Sequence, residues 1–235
     1  MGKSFPTPFI FVYYCQLMSQ LFHPLTNIIV KIVILGGVLL LIGLAGLGYY
    51  LVTSPYLTGV GVARAQPVPY SHEQHVGGLG LDCRYCHSSV DESSFAGLPS
   101  TATCLGCHTQ IKAESPHLEP VRASMENNRP MTWIRVHNLP DFVFFNHGIH
   151  VNKGVGCETC HGRIDQMPVV AKAVSLHMEW CLECHRAPEQ FIRPRAEVLT
   201  MGWQPPVDQA TLGAQLVTDY DIAVDQLTDC SICHR

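Results

Sequence analysis

The sequence predicts a mostly α-helical and irregular fold, in which short helices and loops follow one N-terminal transmembrane helix. Three observations support this prediction: the pattern Cys-x-x-Cys-His occurs five times in 235 residues, a stretch of 21 residues near the N-terminus carries no charge, and the chain contains 16 prolines and 19 glycines. Because proline and glycine interrupt regular elements, we expect short helices between them. The formal net charge of −4 gives no indication of nucleic-acid binding.

The repeated motif predicts covalently bound haem c. Its five copies are Cys83-x-x-Cys86-His87, Cys104-x-x-Cys107-His108, Cys157-x-x-Cys160-His161, Cys181-x-x-Cys184-His185 and Cys230-x-x-Cys233-His234. On one helical turn, both cysteines lie on the same face and the histidine follows, so a single short element supplies two thioethers and the proximal iron ligand. Zinc is the alternative, but zinc sites join two cysteine pairs or place histidines at variable spacing. The constant spacing therefore predicts five haem c groups.

The uncharged stretch predicts a transmembrane helix over residues 28–52. It runs from Ile32 to Val52, which is long enough to cross a bilayer. Lys3 and Lys31 precede it, so the positive-inside rule places the N-terminus in the cytoplasm and the haem domain on the periplasmic side of the inner membrane. A cleaved signal peptide is the alternative, but the apolar run exceeds a normal signal-peptide core. We expect an uncleaved single-pass anchor.

The remaining chain divides around this helix. Residues 1–27 form a cytoplasmic or interfacial segment whose role, like that of Cys15, the sequence leaves open, and residues 53–69 form a linker. The haem domain spans residues 70–235, with a two-haem unit at 70–136 and a three-haem unit at 137–235. Five glycines in the helix predict close packing against other membrane helices, because small residues let backbones approach. A plain anchor is the alternative.

Two similar segments supply candidate distal iron ligands. Tyr70-Ser-His72-Glu-Gln-His75 precedes the first motif, and Phe145-Asn-His147-Gly-Ile-His150 precedes the third. Histidines three apart lie on one side of a helical turn, yet diverge enough to reach two different irons. Each pair is therefore predicted to join two haems. Since there are enough ligands for six-coordinate iron throughout, we expect an electron-transfer protein without catalytic residues, not an enzyme.

Residues 147–234 resemble trihaem class III cytochromes c in their order of His-x-x-His, haem motif, a ligand just before the next motif, and a third motif. The resemblance implies that His147 ligates the haem of His161 and that His150 ligates the haem of His234. The first half resembles a reduced version, which implies His72 for the haem of His87 and His75 for that of His108. His137 is a reserve ligand for His108 or His185.

A wider resemblance covers residues 70–235. It rests on the five motifs after one membrane helix, on Trp133-Ile-Arg-Val-His137-Asn-Leu-Pro140-Asp141-Phe-Val, and on Trp180-Cys-Leu-Glu-Cys-His185-Arg186. These resemble the pentahaem cytochrome c subunit of bacterial alternative complex III. The resemblance implies an electron-transfer subunit of a membrane quinol:acceptor oxidoreductase, with an iron–sulfur subunit, integral membrane quinol-binding subunits and a monohaem cytochrome c as partners. A soluble cytochrome c or a blue-copper protein would be the periplasmic acceptor. The alternative is a stand-alone membrane-anchored multihaem quinol dehydrogenase that feeds a periplasmic reductase.

Two features of the second half remain. For the haem of His185, the trihaem spacing favours His177 and the wider resemblance favours Met178, which we prefer and which would raise the reduction potential. The 44 residues between His185 and Cys230 carry no motif but contain Arg193, Arg195 and Trp203. We expect them to form an ordered strap that docks a partner.

Overall fold

The computed structural model describes residues 22–234 and divides the chain after Thr53 into two compact units. The predictions for residues 1–21, including Cys15 and Lys3, lie outside the described residues. Each unit is considered separately below.

The first unit is a single long helix. Helix α1 spans Pro24–Thr53, 30 residues, and therefore begins four residues before the predicted span. At 1.5 Å per residue it is about 45 Å long, against a hydrocarbon thickness of about 30 Å. Lys31 is its one charged residue, and none of its side chains is buried. The helix is thus long and apolar enough to cross a membrane, as predicted.

The second unit consists of short helices and irregular segments. Its α-helices are α2 (Pro55–Thr58), α3 (Cys83–Cys86), α4 (Thr101–His108), α5 (Glu119–Glu126), α6 (His147–Asn152), α7 (Cys157–His161), α8 (Met178–Arg186), α9 (Gln209–Asp219) and α10 (Cys230–Cys233). A π-helix covers Glu73–Gly78, and 3₁₀ turns cover Pro116–Leu118, Ile164–Gln166, Pro188–Gln190 and Arg195–Glu197. Between residues 54 and 234, extended pairing is limited to three isolated bridges. The predicted mostly helical and irregular fold is confirmed.

The side-chain core of this unit is small. Its buried hydrophobic residues are Val68, Val90, Val121, Ile192, Val198 and Leu216. Other large apolar side chains, such as Phe142 and Ile149, are more than half exposed. A unit of this length normally buries far more apolar surface. The packing therefore leaves room for large apolar groups at the motifs.

The predicted linker is part of the second unit. Val60 and Ala63 form bridges with residues 172 and 171, and the Lys172 ammonium donates to Thr58 O at 3.1 Å. The Gln66 amide donates to Ile134 O and accepts from Ile134 N, both at 2.9 Å. Because long-range backbone pairing fixes both its ends, residues 58–66 are a structural element of the unit.

The segment between the fourth and fifth motifs is ordered, but it packs on its own chain. Arg193 is buried, pairs with Glu158 of α7 at 2.8 Å and stacks on Trp203 at 5.0 Å. The Arg195 guanidinium stacks on Tyr220 at 4.2 Å. These contacts attach the segment to α7 and to the end of α9, and its role in docking a partner stays a prediction.

Candidate haem-binding site

Polar caps set the start of two motif helices. Asp82 accepts a hydrogen bond from Arg84 N at 2.8 Å, directly before the first motif. Ser100 accepts one from Thr103 N at 3.3 Å at the start of α4, which carries the second motif. A side-chain cap satisfies a backbone donor that the first helical turn leaves free. The caps thus support the single turn that aligns each pair of cysteines.

Seven histidines share one hydrogen-bonding arrangement, in which the ring Nδ1 contacts a backbone carbonyl. The partners are Ser71 for His75 (2.8 Å), Gly97 for His87 (2.8 Å), Ile111 for His108 (2.8 Å), Ser94 for His147 (3.0 Å), Asn146 for His150 (2.7 Å), Leu227 for His185 (2.8 Å) and Phe142 for His234 (3.1 Å). A carbonyl oxygen can only accept, so Nδ1 carries the hydrogen in a neutral ring and Nε2 keeps its lone pair. This is the tautomer that a metal-binding histidine needs.

Three pairs of imidazoles face each other at one characteristic separation. The ring centres lie 6.1 Å apart for His75 and His108, 6.4 Å for His147 and His161, and 6.1 Å for His150 and His185. A metal bond of about 2 Å to each of two opposed imidazole nitrogens places the ring centres roughly 6 Å apart. Each pair therefore has the spacing that two axial ligands of one iron require.

The pairing of His150 differs from the sequence expectation. The ring centre of His150 lies 6.1 Å from that of His185, whereas the resemblance had assigned His150 to the haem of His234. Met178 and His177, the expected ligands for His185, are exposed at the start of α8, the helix that ends with His185. Seven residues of helix separate Met178 from His185 by about 10 Å along the axis. Two residues so placed on one helix cannot oppose each other across an iron.

His137 also lies away from both expected positions. Its ring centre is 4.3 Å from that of His161, which is too close for opposed ligands of one iron. Its Nε2 is buried without a hydrogen-bond partner. His137 thus lies beside the third motif and not beside His108 or His185.

Among the described residues, neither His72 nor His234 has another imidazole opposite it at this spacing. His72 lines the same cavity as His87, and its Nδ1 is buried without a hydrogen-bond partner. His234 stacks on Phe142 at 5.9 Å. The structure leaves the distal position of both motifs open.

An aromatic residue belongs to each His-x-x-His segment, which the sequence reasoning missed. Tyr70 stacks on His75 at 4.4 Å and meets His72 edge-on at 4.8 Å. Phe145 repeats this geometry, with its two histidines at 4.5 and 4.7 Å. The repeated spacing aromatic-x-His-x-x-His was the signal that could have found it. Each ring holds two candidate ligands at once.

Burial keeps several of these imidazoles neutral. Desolvation lowers the pKa of His72 to about 4, with a further contribution from His87. Desolvation and the neighbouring His137 and His147 lower the pKa of His161 to about 3. Desolvation and Lys172 lower the pKa of His137 to about 4. Since only a neutral imidazole binds a metal, these sites are poised for one at neutral pH.

The motif residues line one large cavity of about 740 Å³. Its wall contains cysteines and histidines of the first three motifs together with apolar side chains such as Val68, Leu98 and Trp133. Large apolar ligands occupy cavities of this size and lining. The cavity, the neutral Nε2 atoms and the ring separations together fit bound haem.

One comparison with known proteins concerns the second half of the chain. Residues 143–235 match the family described as cytochrome c7 and related cytochrome c. These residues form a multihaem, cytochrome c7-like domain. Members of cytochrome c families bind haem c covalently through Cys-x-x-Cys-His, which agrees with the motifs found here.

The chain is also 37% identical over 99 residues to the multiheme cytochrome c subunit of menaquinone reductase from Nitratidesulfovibrio vulgaris. The aligned part covers 42% of this chain and 46% of the relative, so the chain spans about half the length of the curated relative that it matches. Over the aligned residues the chain is therefore similar to part of the multiheme cytochrome c subunit of a menaquinone reductase.

Proposed function

We propose that the chain is the membrane-anchored electron-transfer subunit of a quinone or quinol oxidoreductase complex, with one haem c at each of its five motifs. When bound, each haem supplies a one-electron redox centre. The observation that carries the proposal is the set of three opposed imidazole pairs, each joining a motif histidine to a His-x-x-His segment. Similarity to a menaquinone reductase subunit supports the quinone-linked complex.

The chain's own residues would bind and orient the cofactors. His75, His147 and His150 would be the distal ligands opposite His108, His161 and His185. His72 would serve His87, whose cavity it shares. Carbonyl acceptors at Nδ1 hold the rings in place, and they strengthen Nε2 as a donor to iron.

His177 or Met178 would serve His234. Both immediately precede the fourth motif, whose Cys181 thiol interacts with Cys233 of the fifth motif. His150 already opposes His185, so these two residues are free to ligate another iron. A loop residue with positive φ, Leu176 at 58°, sets the direction in which the chain enters α8.

With six-coordinate iron at all five motifs, the chain relays electrons and leaves quinone chemistry to other subunits. We place α1 in the inner membrane, with residues 54–235 on the periplasmic side. The family resemblance over residues 70–235 supports alternative complex III as the assembly, with an iron–sulfur subunit, quinol-binding membrane subunits and a monohaem cytochrome c. A soluble cytochrome c or blue-copper protein would accept the electrons.

Purification of the native membrane complex tests this proposal. The intact mass of the chain should exceed that of the polypeptide by five haem c groups, and membrane subunits and an iron–sulfur subunit should co-purify. Carbon monoxide should not shift the spectrum of the reduced protein, because the proposed ligands would fill both axial positions of every iron. A chain that purifies alone and is reduced directly by quinol would instead be a stand-alone quinol dehydrogenase.

A further inference from the structure

We infer that the five motifs follow one another in space in the order second, first, third, fourth, fifth, so that the motifs ending in His108 and His234 are the two ends of the electron-transfer path. The inference rests on the proposed function, since it concerns the route between the five sites. The first two motifs are thereby exchanged relative to their order in the sequence.

The second motif contacts the first through the π-helix Glu73–Gly78 and the residue before it. His75 of this helix faces His108 of the second motif at 6.1 Å. His72, three residues earlier, shares the cavity of His87. Tyr70 packs on both rings, and its hydroxyl interacts with Cys86 and Cys104, one cysteine from each motif. These two motifs are therefore direct neighbours.

The first motif contacts the third. The loop that follows His87 lies on α6: His147 Nδ1 donates to Ser94 O at 3.0 Å, and Gly148 N donates to Ser93 O at 3.0 Å. The Asn152 amide donates to Asp91 O at 2.7 Å.

Gly148 is buried against this loop, where an added Cβ would lie 2.9 Å from Asp91 O. His147 on the same helix faces His161 of the third motif. The Cys83 and Cys157 thiols, from the first and third motifs, also interact directly. The second motif has a different neighbour, since α4 packs on α5.

The third motif contacts the fourth through α6 as well. His147 and His150, three residues apart, face His161 and His185 at 6.4 and 6.1 Å. One short helix thus joins these two sites, as the π-helix joins the first two.

The fourth motif contacts the fifth. His185 Nδ1 donates to Leu227 O at 2.8 Å, three residues before Cys230. The fifth motif is anchored on its other side to the segment before α6, where Phe144 N donates to Cys233 O at 2.8 Å.

Exposure agrees with the assignment of the two ends. Among the ten motif cysteines, Cys107 and Cys230 are the exposed ones, and they belong to the second and fifth motifs. The cysteines of the three inner motifs are partly covered. The two terminal motifs are therefore the ones at which electrons can enter and leave from the protein surface.

The order can be tested by redox titration of the full-length protein in its complex, followed by electron paramagnetic resonance. His72→Ala and His75→Ala identify the signals of the first and second sites. His147→Ala then removes the ligand opposite His161. The altered His161 site would be oxidised at a different potential, so its iron would carry a different charge during part of the titration. Because a charge acts most strongly on its nearest neighbours, the midpoint potentials of the His87 and His185 sites should shift. Those of the His108 and His234 sites should stay unchanged.

A shift at the His108 site in place of the His87 site would overturn the inferred order, as would a shift at neither. Ile149→Ala, at an exposed position of the same helix, is the control and should move no potential. If His147→Ala does not assemble, His75→Ala decides the order alone. It should shift one neighbour, the His87 site, whereas a path in sequence order predicts shifts at the His87 and His161 sites. A chain with fewer than five covalent haems would contradict the proposed function and not the order.

Discussion

At the scale of single residues, the structure and the sequence indicate different distal ligands for the fourth motif. The sequence offers several histidines and methionines near each motif but cannot say which loop brings which ring to which site. The ring centres of His150 and His185 lie 6.1 Å apart although the residues are 35 positions apart in the sequence, a long-range contact that spacing alone does not contain. Local patterns thus predict the proximal ligands, and tertiary packing decides the distal ones.

The ligand at the fourth motif leads to a first prediction. His150→Ala should convert one low-spin haem to the high-spin state, because it removes the ring opposite His185. The absorption spectrum and the electron paramagnetic resonance spectrum measure this change. Met178→Leu should leave the His185 site low-spin, since Met178 is 64% exposed and lies on the same helix as His185. The reverse result would restore Met178 as the ligand.

The buried ion pair between Arg193 and Glu158 gives a second prediction at this scale. The two side chains are 8% and 16% exposed, and the guanidinium also donates to Thr200 O at 3.1 Å. Arg193→Gln removes the guanidinium from the partly buried Glu158 carboxylate, which keeps its hydrogen bond from Gly202 N, and this should cost about 1.5–3 kcal/mol of stability. Thermal unfolding followed by circular dichroism measures the loss.

The exposed pair Arg84–Asp82 provides the matched control. Its side chains are 53% and 48% exposed, so Arg84→Gln should cost less than about 1 kcal/mol. Equal losses for the two variants would show that Arg193 does not brace α7.

At the scale of elements, the motif helices could be predicted and the bracing helix could not. A Cys-x-x-Cys-His motif requires one helical turn, and all five motifs form one. Helix α9, by contrast, carries no motif, and its role depends on contact with the 3₁₀ turn Pro188–Gln190. Nothing in the local sequence indicates that this contact exists. The same limit applies to Arg193 and Trp203, whose residue types suggested a docking surface but which pack internally.

The contact of α9 leads to a third prediction. Gly213 is buried in α9, and a Cβ at this position would collide with the carbonyl oxygen of Glu189. Helix propensity alone predicts that Gly213→Ala stabilises the protein by about 1 kcal/mol. The collision with backbone reverses the sign, and we expect a loss of about 1–3 kcal/mol. The midpoint of thermal unfolding measures the change.

Gln215 lies on the exposed face of the same helix and serves as the control. Gln215→Ala should change stability by less than about 0.5 kcal/mol. A stabilising effect of Gly213→Ala would show that α9 does not pack closely on the 3₁₀ turn.

At the scale of the whole molecule, the sequence predicted a membrane helix and a domain built around bound groups. Both follow from composition: an uncharged apolar run has no other stable environment, and a domain with six buried hydrophobic residues needs an additional interior. The division of the haem domain into a two-haem and a three-haem unit stays a prediction. The loop at residues 91–94 bonds directly to α6, so the two halves share one cavity. Which parts of the haem domain share an interior depends on long-range contacts, and the spacing of the motifs does not predict these contacts.

The glycines of α1 support the final prediction. Their positions are Gly36, Gly37, Gly43, Gly46 and Gly48, and a Cβ at any of them would meet nothing within 4 Å. No contact among residues 22–234 requires glycine there, whereas close approach of another membrane helix would. Gly36 and Gly43, seven residues apart, lie on one face, and Ala45 lies on the opposite face. Gly43→Leu should reduce co-purification of the membrane subunits, whereas Ala45→Leu, which adds three carbon atoms where Gly43→Leu adds four, should not. Quantitative mass spectrometry of the purified complex measures the ratio, and equal recovery with both variants would identify α1 as a plain anchor.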